Sequence, residues 1–159
     1  MFAQVLRFTP TVFRDWIAPH APAKVRRGDA DGLVRVRSAY PLEQTIERLK
    51  KAIAAKGIPF FGAVDQTRLA ACAGVKLHPS VLLVFGAPSL GAQFLNSNPY
   101  AGLDWPIRLL VLQDSTGAVW IAYTDFAWIA RRRGIANLPE QTALATAVVD
   151  SIAATVRAR

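Results

Sequence analysis

The chain has 159 residues, 52% of them hydrophobic, and its 19 Lys and Arg against 11 Asp and Glu give a formal net charge of +8. That length suits one domain burying roughly 68–70% of its unfolded surface with no covalent or metal staple. A single cysteine, Cys72, excludes an intramolecular disulfide, and two histidines without a second cysteine exclude the usual zinc cluster, so neither metal nor cofactor is expected.

Residues 1–32 read as an N-terminal extension, punctuated by Pro10, Pro19, Pro22, Gly28 and Gly32. Thr11 to Ile17 has the spacing of a short helical turn, and Trp16 with Phe2, Phe8 and Phe13 favours packing over free disorder. Arg7, Arg14 and Asp15 break up the apolar residues, which denies this stretch a secretory core or a membrane span and leaves a cytoplasmic protein as the expectation. The domain proper, residues 33–159, begins with a half-exposed strand from Leu33 to Tyr40, where Val34 and Val36 alternate with Arg35 and Arg37. Pro41 opens a helix with Leu42, Ile46, Leu49 and Ile53 on one stripe, and Gly57 stops it. Ile58 to Val64 is a strand carrying Phe60 and Phe61, and Asp65 or Thr67 caps a short helix through Ala73. Ser80 to Phe85, apolar throughout, reads as a central strand, followed by a helix from Pro88 to Leu95 and a long polar loop through Asn96, Asn98, Pro99 and Gly102. Ile107 to Gln113 and Ala118 to Thr124 flank the turn Asp114-Ser115-Thr116-Gly117 and form an antiparallel hairpin. Asp125 caps a helix ended by Gly134, and a last helix from Pro139 to Val156 sets Leu144, Val148, Ile152 and Val156 along one stripe. This order of elements implies an α+β two-layer sandwich, a mixed sheet of about five strands with helices mainly on one face.

The positive charge raises nucleic acid or an anionic membrane surface as partners. The basic residues fall in separate groups, Lys24 to Arg27, Arg48 to Lys51 and Arg131 to Arg133, and no nucleic-acid motif accompanies them. They read as solvated faces and helix C-terminal charges, which makes both partners the minority expectation.

Chemistry-bearing residues concentrate around the strand end at Phe85. Gly86, Pro88, Ser89 and Gly91 set backbone N–H groups at a helix start, a geometry that suits anions but also plain turn chemistry. Asn96, Asn98 and Asp104 are hydrogen-bonding groups on the following loop, with Trp105 beside them. Asp65 and Asp125 are explained by helix capping, His78 lacks a nucleophile or ligand set, and Cys72 among alanines reads as a small buried apolar residue.

The runs TIERLKKAIAAKGIPFFGAVDQ and LHPSVLLVFGAPSLGAQFLNSNPYAGLDWPIRLLVLQDSTGAVWIAYTD resemble the bacterial family called domain of unknown function 302. The matching motifs are Phe85-Gly86-Ala87-Pro88, Asn98-Pro99, Gly102-Leu103-Asp104, and Tyr123 followed by Asp125, over residues 33 to 134. Ala87 stands where the family's pattern has Asn, and Gln66 where relatives often carry His. The resemblance implies an α+β domain that often pairs as a homodimer, and no established activity. The leading expectation is a non-enzymatic domain that binds a small ligand, an anion among the candidates, or a protein partner. Its site would comprise Phe85, Gly86, Pro88, Ser89, Asn96, Asn98, Asp104 and Trp105. The alternative is a small hydrolase-like enzyme using Asp65, Asp104 or His78 as acid or base.

Overall fold

The computed structural model describes residues 26–27 and 31–158. The expected turn of helix at Thr11 to Ile17 and the packing of Trp16 lie outside them. In chain order the elements are β1 (Arg26–Arg27), β2 (Leu33–Arg37), α1 (Leu42–Ala55), β3 (Phe60–Asp65), α2 (Gln66–Cys72), β4 (Ser80–Phe85), α3 (Pro88–Ser97), a 3₁₀ helix (Pro99–Leu103), β5 (Ile107–Gln113), β6 (Val119–Thr124), α4 (Phe126–Arg132) and α5 (Pro139–Ala154).

The strands form one six-stranded sheet in the order β1-β2-β6-β5-β4-β3. Every pairing is antiparallel. The α+β two-layer architecture is the one expected, but the sheet is not mixed. The parallel pairing that α1 would make is avoided because this helix carries the chain from near one edge to the other, and β6 and β5 fill the space between β2 and β4. The β5–β6 hairpin is as expected. The apolar β4 is one strand in from the edge rather than central.

One face of the sheet is packed under α1 and α5. Val34 and Val36 from β2, Ile121 and Tyr123 from β6, Leu109 and Val111 from β5, and Leu83 and Phe85 from β4 meet Leu49 and Ile53 of α1 and Val149, Ile152 and Ala153 of α5. The period of two in the strands and of about 3.6 in the helices brings these residues to a shared layer. Burying each large side chain stabilises the fold by about 1.5–3 kcal/mol. Two sets of polar contacts lie within this layer. Thr45 Oγ1 lies 2.7 Å from Ser38 Oγ and donates to Tyr40 O at 3.1 Å, while Tyr123 Oη donates to Asp150 Oδ1 of α5 at 2.6 Å.

A second, smaller cluster, Phe94, Ala101, Ala130 and Ile135, forms where α3, the 3₁₀ helix and α4 meet. The Phe85 end of β4, the start of β5 and the end of β6 lie at the same end of the sheet. That end carries the candidate site.

Candidate functional site

β4 delivers Phe85 wholly into the main core, so this residue supports the site from beneath. Gly86 then turns the chain, its N–H bonded to Pro59 O at 3.1 Å. Ala87 is extended and its carbonyl accepts from Leu90 N at 3.1 Å and Gly91 N at 2.9 Å, while Pro88 occupies the first turn of α3, where a missing N–H does no harm. The helix start expected to hold free donors therefore has few: Gly86 and Gly91 use theirs within the chain and Pro88 has none. Ser89 and Asn96 are exposed on α3.

The segment from Asn96 to Asp104, expected as an open loop, contains the 3₁₀ helix. Asn98 is its cap. Its Oδ1 accepts from Tyr100 N at 2.9 Å and its Nδ2 donates to Arg133 O at 2.7 Å, tying the segment to the end of α4. Asp104 follows as the sole acidic residue between Asp65 and Asp114. Arg133 Nε donates to its Oδ2 at 2.7 Å, with both side chains only 16–17% exposed, and Arg108 Nη2 lies 3.8 Å from Oδ1. The sequence pointed to Asp104 but not to Arg133, which read as one of a run of helix C-terminal charges. Arg131 and Arg132 do remain exposed.

Trp105 is seated against Gly86 and Gly91. A Cβ at Gly86 would lie 3.0 Å from the indole Nε1, and one at Gly91 would overlap the ring. Neither glycine has a positive φ, in contrast to Gly57, Gly74 and Gly134, so the ring, not the backbone conformation, requires them. Trp105 and Phe61 stack in a T-shape, their centroids 6.1 Å apart and their planes at 73°. The Trp105–Pro106 peptide is cis.

Around this ring lies a small open-mouthed pocket, whose about 450 Å³ of empty space includes the solvent at its mouth. Ala87 just before α3, Leu90 and Phe94 of α3, Trp105, Ile107 at the start of β5 and Ile129 of α4 form its apolar walls, with Asp104 as the charged residue among those that line it. Of the residues expected at the site, Asp104 and Trp105 line this pocket and Gly86 backs the ring. Pro88, Ser89 and Asn96 sit outside its walls.

Asp65 and His78 are elsewhere. Asp65 pairs with Val81 across β3–β4, and its carboxylate accepts from Arg68 N at 2.8 Å as the cap of α2. His78 is exposed just before β4. Both lie at the Ser80 end of this strand and Asp104 at the Phe85 end, roughly 17 Å away at a strand rise of about 3.4 Å per residue. The three groups proposed as acid or base thus share no cavity. Cys72 is exposed, not buried as expected, because α2 lies at the margin of the sheet and buries none of its residues. Gln66 accepts from Ser80 Oγ at 2.7 Å. Among the described residues, no group of three or more His, Cys, Asp and Glu is arranged to hold a metal ion. No helix among them is long and apolar enough to cross a membrane.

Proteins named Fluoride-specific ion channel FluC 1, from Brucella suis biovar 1 and Brucella abortus biovar 1, are each 38% identical to this chain over 104 residues, 65% of its length. The match spans about two fifths of those relatives, 41% and 38% of their respective lengths. The crystal structure of an uncharacterized conserved DUF302 protein from Bacillus stearothermophilus superposes with a TM-score of 0.64, covering 80% of this chain and 97% of that one at 24% identity, which establishes a common fold. The family described as Domain of unknown function DUF302 matches residues 34–158, nearly the whole described domain, and the chain belongs to it.

Proposed function

We propose that this chain is a non-enzymatic accessory domain that binds a small, mainly apolar ligand in the pocket between α3, Trp105 and α4. The observation that carries this reading is the combination of apolar walls with one fixed carboxylate and a tryptophan, the usual make-up of a small-molecule site. The Asn98 and Asp104 contacts hold the 3₁₀ helix and α4 together around that pocket. The separation of Asp65 and His78 from Asp104 weighs against an acid–base enzyme. An accessory role also agrees with the ion-channel relatives. The match spans about two fifths of those relatives, and no helix among this chain's described residues is long and apolar enough to cross a membrane.

The test is a thermal-shift and native mass spectrometry screen of small apolar compounds and metabolites on the purified protein, repeated with Ala87→Leu, which fills the pocket from the α3 wall. Ligand-dependent stabilisation of several degrees that is lost in the variant is the expected result. No stabilising compound, or stabilisation unchanged by Ala87→Leu, would refute it.

A second reading concerns partners. β3 is one of the sheet's two outer strands, and Phe60, Phe61 and Val64 on it are 41%, 49% and 40% exposed. An edge strand so apolar, with Asp65 as its charged residue, is a template for strand pairing. We propose that two copies of the chain associate through this edge. Light scattering should then report a dimer for the native protein and a monomer for Phe61→Lys; a monomeric native protein would end the proposal.

A further inference from the structure

The sheet has a second broad face, turned away from α1 and α5. Residues paired across antiparallel strands share a face, so the registers carry one row through Arg35, Ala122, Leu110, Leu82 and Val64. A parallel row runs through Arg37, Trp120 and Leu112. Their chain neighbours Val36, Ile121, Val111 and Leu83 point the other way, into the main core. Leu82, Leu110, Leu112 and Trp120 belong to neither core cluster and are half-buried, sheltered by the strands beside them. Gln66 and Thr67 of α2 reach this face only at the Ser80 end of β4.

The ladders restrict what can cover such a face. β6, β5 and β4 are paired on both sides, so their backbone groups are spent and a partner gains side-chain contacts alone. That partner must bring its own backbone already paired. A helix does, and α1 and α5 cover the opposite face in this way.

Charge selects the kind of helix. No Asp or Glu occupies this face of β2 to β6, whose charged residues are Arg35, Arg37 and Arg108. Arg35 is shared with Asp31, and Arg108 donates to Leu103 O. Arg37 is exposed and makes no side-chain bond among the described residues. A second copy stacked on this face would set arginines against arginines, whereas acidic residues beside an apolar stripe complement it.

We propose that this face docks an amphipathic helix of another protein, its apolar stripe over Leu110 and Leu112 of β5 and its acidic flank toward Arg35 and Arg37 of β2. β2 lies two strand spacings, about 10 Å, from β5, so acids on the flank of a helix about 10–12 Å wide come within reach of those arginines.

The probes are two peptides of about 18 residues on an alanine background, each with one leucine stripe flanked by glutamate or by lysine, titrated into the isotope-labelled full chain by NMR. The glutamate peptide should bind in the micromolar range and shift the amide resonances of Leu82, Leu110, Leu112 and Trp120. At low salt it should bind about tenfold or more tightly than the lysine peptide. Leu110→Lys should abolish binding. Arg37→Glu, at an exposed position that leaves the core untouched, should cut the preference for glutamate about fivefold or more. The proposal is overturned if neither peptide binds, if both bind alike, if the shifts map to the pocket or to β3, or if Arg37→Glu leaves the preference unchanged. A native dimer that Leu110→Lys dissociates would give the face to a second copy. Sedimentation with phosphatidylserine vesicles that the same variant abolishes would give it to a lipid surface, and either result overturns the proposal too.

Discussion

Replacing Gly91 with Ala places a methyl group where the Trp105 indole now lies. Gly91 is helical and buried on α3, so two effects oppose each other. Exchanging glycine for alanine in a helix interior stabilises by about 0.5–1 kcal/mol. Overpacking against a ring costs about 1–3 kcal/mol. Trp105 cannot give way cheaply, because it is seated against α3 and stacked with Phe61. The overlap should win, leaving the variant about 1–2 kcal/mol less stable than the native protein, which for a domain of this size lowers Tm by roughly 2–8 °C. The assay is denaturant unfolding followed by far-ultraviolet circular dichroism, analysed by linear extrapolation. The decisive comparison is the same substitution in a Trp105→Ala background. There the methyl meets empty space and only the helix term remains, so Gly91→Ala should stabilise by up to about 1 kcal/mol. A native background that tolerates or prefers alanine would show that the ring is not what reserves this position for glycine, and the account of the site would fall with it.

Other expectations follow from the same contacts. Asn98→Ala loses the cap on Tyr100 N and the bond to Arg133 O, so stability should fall by about 1–2 kcal/mol in urea titrations, with Asn98→Asp recovering the cap alone. Arg133→Ala leaves Asp104 partly buried with only the distant Arg108 as counter-charge; a loss of about 1–3 kcal/mol is expected, between the values for exposed and buried pairs, and Asp104→Asn/Arg133→Ala should recover part of it in a double-mutant cycle. Hydrogen bonds from the Thr116 hydroxyl and the Trp120 indole hold the Asp114 carboxyl down from an ordinary 3.8 to about 2. Because the folded value is the lower one, this contribution to hairpin stability is present above pH 4 and fades as pH falls toward 2. The Trp120 indole proton resonance should therefore titrate in that range, and a shift centred near pH 4 would contradict the hydrogen-bonded geometry.

The fold was legible because its strongest signals are local. Leu42, Ile46, Leu49 and Ile53 announce α1 and the alternation of Val34 and Val36 announces β2; the hairpin is announced by its turn residues, and each of these elements packs as its own periodicity requires. Strand order is a different matter. The alternation of strands and helices after β2 suggests parallel neighbours, and nothing within β2 or β3 says that α1 sets them at opposite sides of the sheet. Burial of short elements was equally hidden. Cys72 sits among alanines that would suit a core, yet α2 has only the edge of the sheet to lean on. At the site, Asp104 and Trp105 stood out by residue type, but the partner of Asp104 is 29 residues farther along the chain, in an arginine run that looks uniformly solvent-facing. Gly86 and Gly91 misled for a related reason. A glycine reserved for its φ angle and one reserved for space are the same letter, and the ring that separates the two cases here enters from a different segment.

The two departures from the family's pattern, Ala87 and Gln66, belong to different places. Ala87 is part of the pocket wall, whereas Gln66 holds Ser80 at the other end of β4. With roughly 17 Å of strand between them, no ring-sized ligand touches both. On the ligand-binding reading, position 87 therefore bears on what this pocket accepts, and position 66 only on the stem of α2. Restoring Ala87→Asn adds a polar amide to an apolar wall, which should weaken binding of toluene and strengthen that of benzamide, whose own amide can pair with it. Restoring Gln66→His should leave both affinities unchanged. If Gln66→His shifts them as Ala87→Asn does, the two positions are coupled through β4 and the division of the domain into a ligand-bearing end and a structural end is mistaken.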